Sequence, residues 1–476
     1  MSELFKHYLP DKFDIYSKCI SYYASYLIFK VTLPHLRIAD MYKKYITVAL
    51  VLTSVSLLTI IFHADITLSW LDSDMQPLVS SRGLGSHRDL MDHASNQTYH
   101  IAMASCGNST LRFEEAWVAM KSTLIMLGSN RIVFHIFATQ GPKRYINRQM
   151  NTLPKQLKSQ VTLTFHEPYF PSTEWPRLFR FCATQRIFIA DKLTSVRRVM
   201  YMDTDTILVA PLYKLWREFS RFTDTQVLGM TRAQLFNKGW YDDKNHIIPH
   251  LPPHGYNSGV LLLDLERIRQ LQWVNNLTNV MRLQTHERSN RLGDQDILNE
   301  YFYYFPERLH TLPCTFNFIS NFCRTTLIQG QKVAQTCLNA ERDGAYIVHA
   351  NRGLAHEKLS IFSILYNNIM KYTFNSNLHL GVIEPILNGI KHFENVNQKF
   401  KNSYCYKSKH LFYKNMLEFA LIQSPNDTSI MQLLDMFPVM NNTLLPDVDY
   451  YLERVSQQYY PKIQNRKGFG VATGNT

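Results

Sequence analysis

An apolar, β-prone run that ends on two carboxylates constrains this chain more than any other feature. Val199-Met200-Tyr201-Met202 leads into Asp203-Thr204-Asp205, Ile207-Leu208-Val209 follows, and Pro211 breaks the run. The pattern reads as a buried strand with two carboxylates exposed at its end. On an extended backbone, side chains at i and i+2 point the same way, so Asp203 and Asp205 can face one hard cation. A divalent ion held there can grip a diphosphate and stabilise it as it leaves. An Asp-x-Asp arises by chance about once in a chain this long. Its weight therefore comes from its place at a strand end and from matching pieces downstream.

The acidic run closes an alternation of strands and helices. Residues 101–105 read as a first strand and Cys106-Gly107-Asn108 as its closing turn. A helix follows, with Trp117, Met120, Leu124 and Leu127 on one face and Gly128 as its stop. A strand over 132–137, a polar helix around 142–157 and a strand over 161–165 come next. A helix from about 175 to 192, carrying Arg186, then leads into the acidic strand. Such alternation predicts an α/β sheet whose ligand sits beyond the carboxyl ends of the strands. Neither a Walker nor a Rossmann glycine fingerprint is present.

Residues 45–62 contain no charge over eighteen positions, about the minimum for a membrane-spanning helix. Lys43 and Lys44 precede them, while Asp65, Asp72 and Asp74 follow. The positive-inside rule makes this a single-pass, type II signal-anchor. Residues 1–44 are then a cytosolic tail (very short if Met41 is the start), and the rest is lumenal. The stretch 63–97, rich in Ser, Asp, His and Gly, suits an extended stem.

Six of the seven cysteines follow the anchor (Cys106, Cys182, Cys314, Cys323, Cys337, Cys405). That even set fits disulfide pairing in an oxidising lumen. Cys323 with Cys337 is the favoured pair, because it would close a short loop. No Cys-x-x-Cys is present, so zinc is not expected. Asn-x-Ser/Thr sequons at Asn96, Asn108, Asn276, Asn426 and Asn441 also lie on the lumenal side. The net charge of +13 comes from scattered Lys and Arg, without a nucleic-acid-binding pattern, so nucleic acid is not an expected partner.

Three further constellations carry chemistry. His254-Gly255-Tyr256-Asn257-Ser258-Gly259 turns into the very apolar strand 260–263, and an amide at Asn257 can hydrogen-bond sugar hydroxyls. In Gly293-Asp294-Gln295-Asp296 the glycine marks a turn and Asp294 is placed to cap the following helix. Tyr346-Ile347-Val348-His349 is another strand ending in a polar turn, Ala350-Asn351-Arg352-Gly353. Following a strand as the carboxylates do, His349 can meet them and complete a site for Mn²⁺.

Taken in order, these pieces resemble glycosyltransferase family 8, and within it the glucoside xylosyltransferases. The matching stretches are 182–186, 202–205, 239–241, 257–260, 293–297 and 349–353. The likeness covers roughly residues 99 to 360. It implies an A-type fold, a Rossmann-like mixed sheet flanked by helices, in a catalytic domain spanning 98–365. It also implies a retaining enzyme that uses UDP-xylose and Mn²⁺. The implied acceptor is O-linked glucose on EGF-like repeats such as those of Notch, joined in α1,3 linkage in the endoplasmic reticulum or Golgi.

By the same resemblance, Asp203, Asp205 and His349 are the protein's metal ligands, and Asp203 also touches the nucleotide ribose. Arg186 stands near the donor phosphates or sugar. Cys106, Arg352 and Gly353 belong to the nucleotide site, with Lys358 an alternative to Arg352 for the diphosphate. Asn257, Asp294 and Gln295 surround the transferred sugar, Gln295 lending polar support to the anomeric face. Residues 366–476 form an extension, expected to be helical over 408–422 and 447–459, with no assigned role. Two alternatives stand beside this reading: a family 8 transferase using another UDP-sugar, and a non-catalytic lumenal carbohydrate-binding or scaffold protein.

Overall fold

The computed structural model describes residues 97–423 except 178–181, 234–247, 252–254, 288–291, 320–324, 329–330, 335–336, 358–359, 375–376, 397–404 and 406–408. The anchor at 45–62, nearly all of the stem, residues 239–241 and 447–459, and Lys358 lie outside the described residues. Among the described residues no helix is long and apolar enough to cross a membrane.

Strands β1 (Thr98–Ser105), β2 (Arg131–Ala138) and β3 (Val161–His166) are separated by helices α1 (Thr110–Ile125), α2 (Gln140–Asn151) and α3 (Lys155–Gln160). The polar helix expected over 142–157 is thus two helices. Pro154, which cannot continue a helix, is the N-cap of the second. After α4 (Ile189–Lys192) come β4 (Arg198–Met202), β5 (Thr206–Leu208), β6 (Leu228–Arg232) and β7 (Tyr256–Asp264). Helices α5 (Trp273–Glu287) and α6 (Asp294–Tyr304) precede β8 (Leu309–Leu312), β9 (Phe318–Ile319) and, later, β10 (Ile347–His349).

The main sheet has seven strands in the order β3-β2-β1-β4-β7-β6-β8. β3, β2, β1 and β4 run parallel, whereas β7 is antiparallel to both β4 and β6. This is the mixed sheet flanked by helices that the A-type fold requires. A second sheet, β5-β10-β9, sits beyond the carboxyl end of β4. The apolar run 199–209 therefore crosses between sheets. It leaves the main sheet after Met202, turns through Asp203-Thr204-Asp205, and re-enters as β5.

Alternation along the strands builds a core on each face of the main sheet. On one face Tyr99, Ile101, Met103, Met200 and Met202 meet Trp117, Met120 and Leu124 of α1. On the other, Ala102, Tyr201, Leu261 and Leu263 meet Trp273 and Leu277 of α5 and Ile297 and Tyr301 of α6. Helices α7 (Ile361–Lys371), α8 (Glu384–Val396) and α9 (Lys414–Gln423) bury Leu365, Ile390 and Met416 in the α1-side core. Helix α7 runs through residue 365, so the segment beyond it shares a core with the catalytic strands.

Two cysteine pairs are described, Cys106–Cys182 and Cys314–Cys337, and Cys405 is disulfide-bonded as well. The expected Cys323–Cys337 pair is corrected: the turn after β8 brings Cys314 to Cys337, with Cα atoms 5.9 Å apart, a span a disulfide bridges.

Candidate active site

The turn after β4 is fixed on both sides by backbone. The Asp203 N–H donates to the Gly259 carbonyl of β7 at 2.8 Å, and the Ala350 N–H donates to the Asp205 carbonyl at 2.8 Å. Thr206 Oγ1 closes the turn by donating to the Asp203 carbonyl at 2.6 Å. Asp203 and Asp205 converge through this turn rather than through extended backbone. β10 lies antiparallel to β5 with His349 opposite Thr206, which brings the imidazole alongside. One ligand atom from each of Asp203, Asp205 and His349 falls within 4.8 Å of the others.

Gly259 makes this convergence possible. A Cβ there would lie 2.3 Å from His349 Cε1 and 2.7 Å from Nδ1, so only glycine lets the ring pack on β7. The Asn-Ser-Gly motif thereby gains a steric role that its sequence alone did not show. His349 Nε2 stands 3.1 Å from Asp205 Oδ1, and Nδ1 stands 2.9 Å from Asn317 Oδ1. Burial pushes the Asp205 carboxyl up, but the charge and hydrogen bond of His349 outweigh it and hold the group at about 2. For His349, burial lowers the pKa, and the Asp205 carboxylate more than compensates, so the imidazole is raised above its usual value.

Arg186 pins the rest of the site. It lies on a 3₁₀ turn, Ala183–Ile187, instead of the long helix expected over 175–192. Cys182, which precedes the turn, is tied to Cys106, and this bond fastens the turn to the end of β1. Cys106, in the turn that closes β1, therefore has its sulfur committed to this disulfide. The buried guanidinium places Nη2 2.9 Å from Asp203 Oδ1 and Nε 2.8 Å from Asp294 Oδ2. Nη1 donates to the carbonyl and Oγ of Ser258, and the group stacks 4.7 Å over Tyr201. So heavily engaged, Arg186 is a structural cation that orients both carboxylates.

Asp294 is the first residue of α6, and no side chain caps that helix; the expected capping role is corrected. The Leu292 N–H is instead taken by Asp296 Oδ2 at 2.9 Å, while Asp294 faces Arg186. Nε–H of Arg186 is aimed at the Ala183 carbonyl, so the contact with Asp294 is one of charge, and Asp294 Oδ2 accepts no hydrogen bond. Burial, opposed by Arg186 and reinforced by Asp203, pushes the Asp294 carboxyl up to about 6. Gln295 Oε1 accepts from the Ser258 N–H at 3.2 Å. Asn299 clamps α6 to β7 by bonding both the N–H and the carbonyl of Tyr256.

Three participants were not singled out from the sequence. Tyr201 donates to Asp203 Oδ1 at 3.0 Å, Ser258 links Arg186 to Gln295, and Asn317 joins His349 to Asn257 Oδ1 at 2.7 Å. Only Tyr201 carried a local signal, being two residues before Asp203 on the same strand face. Gly353 lies exposed at φ 78° in the 3₁₀ turn Asn351–His356 after His349, with nothing within 4 Å of a notional Cβ. The Arg352 side chain lies outside what the structure describes.

The donor set fits a divalent cation. Two carboxylates and an imidazole meet at the carboxyl end of the sheet, and Asp294 adds a third carboxylate against one guanidinium. This leaves an excess of negative charge that a hard cation balances.

The sequence pattern that defines glycosyl transferase family 8 matches residues 93–352. The chain belongs to glycosyl transferase family 8. It is 33% identical over 302 residues to glucoside xylosyltransferase 2 of Xenopus laevis, covering 60% of this chain and 68% of that protein. It is 30% identical over 349 residues to glucoside xylosyltransferase 1 of Danio rerio, covering 69% of this chain and 80% of the relative. Among solved structures, apo mouse xyloside xylosyltransferase 1 aligns at a TM-score of 0.41 and 21% identity over 54% of this chain and 99% of that one. As a family 8 member the chain is a glycosyltransferase; such enzymes are typically metal-dependent, and Asp203, Asp205 and His349 form a group able to hold a metal ion.

Proposed function

We propose that this chain transfers xylose from UDP-xylose, with retention, to a glucoside, in α1,3 linkage to O-linked glucose on EGF-like repeats of the Notch type. The observation that carries the reading is the meeting of Asp203, Asp205 and His349 beside the Arg186–Asp294 pair in a family 8 chain. The relatives' names support the sugar and the glucoside acceptor. The EGF-repeat carrier comes from the family resemblance. A lumenal setting is supported by the disulfides and by the uncharged run at 45–62.

Asp203, Asp205 and His349 would hold Mn²⁺, which when bound supplies charge to neutralise the departing diphosphate. The chain's residues do the rest. Arg186 and Tyr201 hold Asp203 in place, and backbone bonds hold Asp205. Asp294, held by the Arg186 guanidinium, orients the sugar or acceptor. Asn257 and Gln295 line the transferred sugar, Gln295 with its amide anchored to β7. The acceptor oxygen attacks C1 on the face from which the diphosphate leaves. Its C1–O bond forms as the C1–phosphate oxygen bond breaks, and its proton passes to the diphosphate. An amide at 295 is a poor nucleophile, which favours this same-face course over a covalent glycosyl-enzyme.

The test is a donor screen with the purified full chain, Mn²⁺, and an EGF-like repeat with or without O-glucose. Xylose should pass from UDP-xylose to the glucosylated repeat only, and NMR of the product should show an α linkage. Transfer from UDP-glucose or UDP-galactose in its place, or no transfer at all, would overturn the proposal.

A further inference from the structure

A buried polar network behind the cluster has an internal direction that one atom sets. The backbone N–H of Gly259 is an unambiguous donor, 2.9 Å from the side chain of Asn257. The atom facing it must be the amide oxygen, Oδ1. That same oxygen lies 2.7 Å from Asn317, so Asn317 must present its Nδ2 there. Its Oδ1 is thereby turned to His349 Nδ1 at 2.9 Å. An acceptor at that position requires the imidazole to carry a hydrogen on Nδ1, so the proton that His349 gives up when it becomes neutral is the one on Nε2, which faces Asp205.

We propose that Asn317 is a positioning residue that makes Nε2 the ligating nitrogen of His349 and leaves Asn257 Nδ2 for the sugar. One buried network anchored on Gly259 thus assembles both halves of the donor site. The inference rests on Asp203, Asp205 and His349 being metal ligands. Asn317 suits the task because it is 2% exposed, and a buried amide has little freedom to flip without losing both bonds. Its place explains why the cluster needs a residue from the turn Cys314–Asn317, which is tied to Cys337 by a disulfide and to the start of the His349 strand by the Tyr346 N–H, donating to the Thr315 carbonyl at 2.8 Å.

The test measures Mn²⁺ binding in the presence of UDP, by electron paramagnetic resonance of the free ion, on the full chain and on D205N, N317L and N317D. In N317L the imidazole N–H loses its acceptor, and the Mn²⁺ dissociation constant should rise about 10- to 100-fold. In N317D a carboxylate still accepts from Nδ1–H, so Mn²⁺ binding stays close to wild type. Its second oxygen, however, opposes Asn257 Oδ1, so transfer should fall even though metal binding is kept. A merely structural role would not split the two readouts. Wild-type Mn²⁺ affinity in N317L, with D205N impaired, would overturn the inference and leave the metal site standing. If N317L does not fold, N317D decides: loss of Mn²⁺ there overturns the inference, and retained Mn²⁺ with reduced transfer supports it. Binding that D205N leaves unchanged would instead overturn the metal reading itself.

Discussion

His349 occupies space that any side chain at position 259 would fill. Gly259→Ala places a methyl 2.3 Å from the ring carbon, and either the ring or β7 must move. Overpacking of this kind costs about 1–3 kcal/mol, so G259A should melt at lower temperature and bind UDP with Mn²⁺ more weakly. Unchanged melting and binding would mean that the ring has slack the structure does not show. Single positions also mark the limits of sequence reading here. Asp203 and His349 were legible because each closes an apolar strand with a polar residue, and Asp205 because it follows Asp203 at i+2, a pattern visible without tertiary structure. Asn317 was not: its partners are 32 and 60 residues away, and an Asn in a turn looks the same whether or not it faces an imidazole. Asp294 follows Gly293 as a helix-capping acid would, but the buried charge of Arg186 captures it.

Among elements, the parallel strands β1 to β3 show a second consequence of pairing. Their register lines up His100, His135 and His166 across one face, with His100 Nδ1 3.0 Å from His135 Nε2 and His135 Nδ1 3.4 Å from His166 Nε2. Burial, then repulsion from His100 and His166, lowers His135 to about 4, and burial with Lys192 lowers His166. A histidine whose folded value lies below its unfolded one stabilises the fold fully above the unfolded value, near 6.5. That contribution is lost as pH falls through the folded value. Between pH 6.5 and 4 this group should remove about 2 kcal/mol after allowance for partial solvation. In denaturant melts across that window the wild type should lose about 2 kcal/mol more than H135F as the pH falls. Parallel curves would contradict the assignment.

The Arg186 turn shows why segment 175–192 did not become the expected helix. Cys182 is bound to Cys106, and the guanidinium is fixed to two strands and to α6, so the tertiary ties outweigh helix propensity. Removing that disulfide in C106S/C182S should cost about 2–4 kcal/mol and loosen the Arg186 turn. Chemical denaturation with UDP binding measured alongside tests this: a variant as stable as wild type with intact binding would refute it.

For the whole molecule, the α/β alternation and the strand-end ligand site were legible from periodicity, whereas the role of the chain beyond 365 was not. Nothing in its sequence tells that α7, α8 and α9 close the core over α1. Deleting residues 372–476 would remove Ile390, Phe412, Met416 and Leu417, all buried, and uncover the α1-side core they share with Trp117, Met120 and Leu124. The truncated chain should be insoluble or rapidly proteolysed. A soluble, cooperatively melting truncation would show that the segment is dispensable to the fold.

The claim on which the catalytic account depends is that Asp203, Asp205 and His349 together hold a divalent cation that binds UDP. Isothermal titration of UDP into the full chain, with and without Mn²⁺, measures it directly, with D205N as the control. The account predicts that UDP binds only when Mn²⁺ is present, and that D205N abolishes this binding while its metal-free melting stays cooperative. Equal UDP binding with and without the metal, or metal-dependent binding that survives in D205N, would contradict it.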